Sequence, residues 1–181
     1  EKYKDATDVD IIWEYDMMAQ LNVFPHNMSC CCPLIVGDRI VWQQAYGHSN
    51  LWSQTPARLD SVYLIGSTFK AMSTVALLQL MEQGKFKLDD PVSPLLTEFK
   101  VQGEDPKQPI TFRHLLTHTS GLPVDFGPFP LWADKAPPEL NEYLRASLKV
   151  GRPPLQKEEY SNMAYSLIGY LVEKLSGKPF K

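Results

Sequence analysis

The chain has 181 residues, 44% of them hydrophobic and 22% charged, with a formal net charge of −3 and a pI near 5.8. That is enough apolar sequence for a globular domain, and the acidic balance argues against nucleic acid or an anionic membrane surface as partner. No apolar run approaches the roughly 20 residues of a membrane span, and the three cysteines, Cys30-Cys31-Cys32, are contiguous and odd in number, so they provide no framework of spaced disulfides.

Residues 1–22 place Ile11, Ile12, Tyr15, Met18 and Leu21 at helical spacing, predicting a leading amphipathic helix. A β-hairpin region follows over residues 27–65. Residues 27–36 and 39–46 flank Gly37-Asp38 as the arms of a hairpin would, which sends alternate cysteines to opposite faces; small buried side chains are expected there, with metal or redox chemistry as the alternative. Pro33 marks that strand as an edge or as carrying a bulge. Val62-Tyr63-Leu64-Ile65 reads as a short strand and Gly66 as a tight turn. Residues 68–83 read as a helix carrying Phe69, Met72, Val75, Ala76, Leu80 and Met81, closed by Gly84. The remainder, residues 66–181, is mainly helical, with loops rich in Pro, Gly and charge at 99–109, 122–138 and 151–159 and a last helix after Asn162. No internal repeat or linker divides the chain. Strands precede helices instead of alternating with them, so the fold class is α+β in one domain.

Two short motifs carry chemistry. Ser67-Thr68-Phe69-Lys70 opens the first long helix, and a lysine three positions after a serine stands on the same helical face, where it can activate the hydroxyl. Ser67 at a helix N-terminus also has unpaired N–H groups and the positive dipole end nearby, both favourable to an oxyanion. The bland reading is an N-cap serine, among the best residues for that position. Ser-x-x-Lys is expected about once by chance in such a chain, but Tyr-x-Asn only about 0.2 times, and it occurs once, at Tyr160-Ser161-Asn162.

The run from Ile65 to Val92, with Leu88-Asp89-Asp90-Pro91-Val92 after the helix, resembles the β-lactamase-related serine hydrolases. So do Ile110-Thr111-Phe112-Arg113-His114-Leu115-Leu116-Thr117-His118-Thr119-Ser120-Gly121-Leu122 and the Tyr160-Ser161-Asn162 segment with the helix that follows. The resemblance implies Ser67 as nucleophile, Lys70 as its activating group, Tyr160 as proton shuttle to the leaving group and Asn162 as a contact for a substrate amide. The roles of Lys70 and Tyr160 as base stay open. It implies no cofactor, a small-molecule or peptide-like substrate (β-lactam, D-amino-acid peptide or ester), and a periplasmic or secreted setting if the source is bacterial. The implied fold is an antiparallel sheet flanked by helices plus a helical subdomain. The family's third motif, Lys or His followed by Thr or Ser and then Gly on a late strand, does not occur here, so the chain reads as the front part of a longer protein with an exposed sheet edge.

A non-catalytic or acylation-only relative, a penicillin-binding-like sensor or scaffold, is the alternative function, as is an inactive truncated product. His114 and His118 lie one helical turn apart as zinc ligands often do. They lack the intervening glutamate and any completing ligand, so a helix-end structural role is expected and no metal site. Asp89 and Asp90 read as turn caps. Ser120, His118 and Asp125 would make a triad only without its usual Gly-x-Ser-x-Gly elbow, which leaves the Thr119-Ser120-Gly121 turn structural. The approach loop 152–159 departs from the family's Pro-Gly-aromatic pattern, and Glu158 and Glu159 would oppose a lowered Tyr160 pKa if they faced it.

Overall fold

The computed structural model describes residues 12, 14, 16–20, 29–124 and 139–180. The chain divides into two compact units, residues 1–64 and Ile65–Lys181.

In the first unit residues 12, 14 and 16–20 are helical; Ile11, Tyr15 and Leu21 of the predicted helix lie outside the described residues. Strands β1 (Cys30–Val36) and β2 (Arg39–Tyr46) form the expected antiparallel hairpin around Gly37, whose φ of +64° suits so tight a turn. The register breaks between Leu34 and Ile35, one residue past Pro33, so the proline marks both an edge strand and a bulge. Cys30 and Cys32 share a face with their sulfurs 3.5 Å apart, while Cys31 faces the other way and donates to the Arg58 carbonyl. The alternation is as predicted, but the thiols are half-buried, because a two-stranded sheet has too little cover to enclose either face. Burial, reinforced by the Cys32 contact, pushes the Cys30 thiol up to about 11, which keeps it protonated and unreactive near neutral pH. A second small hairpin, β3 (His48–Asn50) with β4 (Thr55–Pro56), follows. The strand expected over Val62 to Ile65 does not form. Val62 and Leu64 are fully exposed and no strand among the described residues pairs with this segment, and an extended run without a ladder partner is not a strand.

The second unit is helical. A 3-10 turn over Gly66–Thr68 leads into α1 (Phe69–Glu82), within one residue of the predicted bounds at each end; α2 (Phe112–Leu116), α3 (Leu140–Ser147) and α4 (Asn162–Ser176) follow. Helix α4 is the axis of the core. Ser161 caps it by accepting from Ala164 N–H, Gly177 ends it at φ +70°, and Met163, Leu167, Ile168 and Leu171 are buried almost completely. Each such side chain contributes about 1.5–3 kcal/mol relative to exposure, more than any helix propensity in that segment. Leu77 of α1, Phe112 and Leu115 of α2, and Leu144 of α3 complete the core, with the Phe86 and Phe112 rings stacked at 3.8 Å. The opposite side of α1 is apolar too: Phe69, Met72 and Val75 are 44–57% exposed. No helix among the described residues is long and apolar enough to cross a membrane.

His114 sits in a capping box at the start of α2, where Thr111 Oγ1 accepts from His114 N–H and His114 Nδ1 accepts from Thr111 N–H. Asp90 accepts from Lys87 N–H across a turn, whereas Asp89 forms a two-pronged pair with Arg113 instead of a cap.

The segment after α2 turns sharply against the 151–159 loop. Gly121 has φ +76°, a Cβ there would stand 2.0 Å from the Arg152 carbonyl oxygen, and the Gly121 carbonyl accepts from Gly151 N–H at 2.9 Å. Gly84 shares the backbone conformation at φ +74° with open space around it. Gly84→Ala is therefore expected to cost about 1–2 kcal/mol for the left-handed conformation alone. Gly121→Ala must add a main-chain displacement and cost clearly more, measured as the urea unfolding midpoint of the two variants; equal losses would contradict the close packing of residues 121 and 152.

Candidate active site

Both motifs lie in the second unit, and the fold brings them together. Ser67 occupies the 3-10 turn before α1, which Gly66 permits by adopting φ +53°. The N-cap positions of the turn and of α1 are Ile65 and Thr68, neither making a side-chain capping bond, so Ser67 is not used as a cap. Its hydroxyl oxygen instead receives two donors: Lys70 Nζ at 3.1 Å and the Tyr160 hydroxyl at 2.6 Å. Lys70 also donates to Asn162 Oδ1 at 2.6 Å and lies 4.5 Å from the Tyr160 ring centre. The four predicted residues thus form one hydrogen-bonded cluster. The first backbone donor of the 3-10 turn is Thr68 N–H, to the Ile65 carbonyl, so the N–H groups of Gly66 and Ser67 precede any helical bond.

Lys70 holds the Tyr160 phenol below its ordinary value, first by hydrogen bonding, with the Ser67 contact acting in the same direction. The acidic approach loop does not oppose this. Glu159 pairs with Arg152 and, at 3.0 Å, with Lys157, and its backbone N–H donates to the His118 carbonyl.

Tyr160 and Asn162 are aimed by the residue between them. Ser161 is completely buried; its Oγ accepts from Ala164 N–H and donates to the Pro123 carbonyl at 2.7 Å, and its own N–H donates to His118 Nδ1 at 3.1 Å. Asn162 N–H donates to the Val124 carbonyl. The Tyr-Ser-Asn tripeptide is therefore bolted to residues 118–124. Sequence reasoning gave Ser161 no role, although its cap position in front of an apolar helix was a readable signal. Ser120 is buried and accepts from Leu122 N–H, a turn-stabilising use; Asp125 lies outside the described residues. Both histidines spend Nδ1 on a backbone N–H, and no group of three or more metal-ligating side chains stands together among the described residues.

A cleft of about 610 Å³ opens beside the cluster, lined by Ser67, Lys70 and Asn162 and by the apolar Phe69, Leu140 and Phe180.

Serine, lysine and tyrosine thus meet at a helix start, and comparison with known proteins gives the family of the chain. The model of the Beta-lactamase family matches residues 34–181, and the chain belongs to that family. Protein flp of Staphylococcus aureus (strain MW2) is 26% identical over 174 residues, which is 95% of this chain and 34% of that protein. Among solved structures, the octameric penicillin-binding protein homologue from Pyrococcus abyssi superposes with a TM-score of 0.73 at 25% identity, over 96% of this chain and 40% of that one. The beta-lactamase/D-alanine carboxypeptidase from Yersinia pestis, in complex with citrate, gives 0.72 at 26% identity over 96% and 51%. The α+β fold is thus the β-lactamase and penicillin-binding-protein fold, and the chain spans a third to a half of the length of these relatives.

Ser161→Ala removes a cap and leaves the Pro123 carbonyl without its donor. The loss of the cap alone costs about 1 kcal/mol, and the buried orphan adds about 1–3 kcal/mol. Thermal unfolding of this variant should fall well below that of Ser176→Ala, a half-buried residue at the far end of the same helix whose hydroxyl bonds to the backbone of the exposed Lys178; equal stability of the two would contradict the bolt.

Proposed function

We propose that the protein is a serine hydrolase that opens amide or ester bonds through an acyl-enzyme on Ser67, with a β-lactam, a D-amino-acid peptide or an ester as substrate. The observation that carries the reading is the double donation to Ser67 Oγ from Lys70 and Tyr160. A serine hydroxyl needs a partner that can take its proton, and here both candidates touch it.

In the forward step the Ser67 proton passes to Tyr160, in its phenolate form, or to an unprotonated Lys70, and Oγ bonds to the carbonyl carbon. The N–H groups at the start of the 3-10 turn stabilise the oxyanion. The C–N or C–O bond then breaks, and the proton just acquired returns to the leaving amine or alcohol. Water repeats the sequence on the acyl-enzyme and frees Ser67. Asn162 holds Lys70 through Oδ1 and keeps its amide N–H₂ for a substrate carbonyl. The resemblance to the Yersinia pestis protein supports a D-alanyl peptide or β-lactam. The apolar wall of Phe69, Leu140 and Phe180 suits a hydrophobic acyl substituent.

The likeness to a penicillin-binding protein homologue favours one second reading, a chain that is acylated but turns over slowly, as a sensor would. A fluorescently tagged penicillin separates the two. A burst of labelling followed by release is expected of the hydrolase, and persistent labelling of the sensor. Ser67→Ala should abolish labelling, and Tyr160→Phe should slow it by about 10²–10⁴-fold, the usual worth of a positioned acid–base group. Equal labelling of Ser67→Ala would overturn both readings.

A further inference from the structure

His118 holds Tyr160 from both sides in sequence. Its carbonyl accepts from Glu159 N–H at 2.8 Å, its Nδ1 accepts from Ser161 N–H at 3.1 Å, and its ring lies on the Tyr160 ring with centres 4.7 Å apart. On its other flank the ring meets Tyr165, whose hydroxyl is tied to Thr74 Oγ1 of α1. The residue adopts φ +58°, a left-handed conformation uncommon for a residue with a side chain, and this turn delivers both the ring and the carbonyl to the 159–161 segment. The turn also closes α2 as a Schellman cap, with Thr119 N–H donating to the His114 carbonyl at 2.9 Å and His118 N–H to the Leu115 carbonyl at 3.4 Å, but capping requires neither the Nδ1 bond to Ser161 nor the ring contacts.

We propose that His118 is a positioning residue for the Ser67 reaction: its unprotonated Nδ1 pins Ser161 N–H and thereby sets the Tyr160 hydroxyl on Ser67 Oγ, so that the site works only while this imidazole is neutral. The proposal rests on the reading of Ser67 as nucleophile. Accepting from a backbone N–H requires a lone pair on Nδ1, which fixes the proton of the neutral ring on Nε2. Protonation would set N–H against N–H at the pin and place a second cation beside Lys70. The groups facing the ring are Lys70 from α1, the phenols of Tyr160 and Tyr165, and Glu158 from the approach loop. Burial, with the Lys70 charge added, favours the neutral ring, and the Glu158 charge opposes it more weakly. The neighbouring Glu159 is already taken up by Arg152 and Lys157. The folded-state value of His118 therefore lies below the ordinary 6.5, and the working form is complete above pH 6.5 and lost as pH falls through that lower value.

The test compares wild type, His118→Ala and His118→Asn. Asparagine tolerates the left-handed conformation and carries an acceptor oxygen near the position of Nδ1, but does not titrate. Two readouts are taken on each: the rate at which a fluorescent fluorophosphonate, which forms a Ser–O–P bond with loss of fluoride, labels the protein between pH 4.5 and 8, and the ¹H–¹⁵N shift of the Ser161 amide over the same range. The wild-type rate should fall on the acid side with a midpoint below 6.5, at the pH where the Ser161 amide moves. His118→Ala should label at least about tenfold more slowly at pH 7.5 while remaining folded by circular dichroism. His118→Asn should recover most of that loss and lack the inflection below 6.5, keeping only the slope of the Ser67 base that all three chains share. An inflection below 6.5 that persists in His118→Asn, wild-type labelling by His118→Ala, or a Ser161 amide indifferent to the His118 titration would each overturn the proposal. A wild-type chain that labels at no pH overturns the Ser67 reading and the catalytic consequence with it, while the Ser161 amide then decides the pin by itself.

Discussion

The arrangement around Ser67 depends on one buried residue, Ser161, that does not touch Ser67 itself. A serine with no solvent contact must satisfy its N–H and its hydroxyl inside the protein, and it does so with three partners, His118 and Pro123 of the 118–124 segment and Ala164 of α4. Leaving any of these unmade would cost about 1–3 kcal/mol, a large part of the few kcal/mol by which a domain of this size is stable. The neighbours of Ser161 on either side are thereby held in place. Tyr160 projects to Ser67 and Asn162 to Lys70, and a contact between residues 93 positions apart becomes a fixed distance.

The same logic explains why the 118–124 segment has its unusual backbone. Left-handed conformations at His118 and Gly121 fold the chain back on itself so that its carbonyls meet Leu155, Glu159 and Gly151 N–H groups from the approach loop. Only glycine fits at residue 121, where the Arg152 carbonyl leaves no room for a side chain. The loop that departs from the family pattern between residues 152 and 159 is accommodated by main-chain bonds, which do not depend on its side chains, and by the pairing of Glu159 with Arg152 and Lys157.

Much of this was legible in the sequence where the signals are local. The apolar period of α1, the glycine that ends α4, and the Gly37 hairpin turn each express a preference that neighbouring residues decide, and the structure follows them to within a residue or two. The Ser-x-x-Lys and Tyr-x-Asn motifs were legible as residue types at spacings. What joins them was not, because His118 reaches Ser161 across 43 positions and a helix-end residue does not announce so distant a partner. The strand expected at Val62 to Ile65 fails for a related reason: β-propensity describes a fit to a partner surface, and no described strand supplies one. The apolar faces of α1 are likewise ambiguous from sequence, since Leu77 and Leu80 are buried while Phe69, Met72 and Val75 stand exposed on the other side.

The central claim is electrostatic: Lys70 and Tyr160 are close enough to Ser67, and to each other, for the lysine charge to favour the phenolate. The direct measurement is a ¹³C NMR titration of the Tyr160 Cζ, assigned by comparison with Tyr160→Phe. The account predicts an apparent value below the ordinary 10, because the Lys70 hydrogen bond and then the Ser67 contact favour the deprotonated form. A Tyr160 that titrates at or above 10 would mean that the lysine does not stand where the folded chain places it, and the acyl-transfer reading would lose its physical basis.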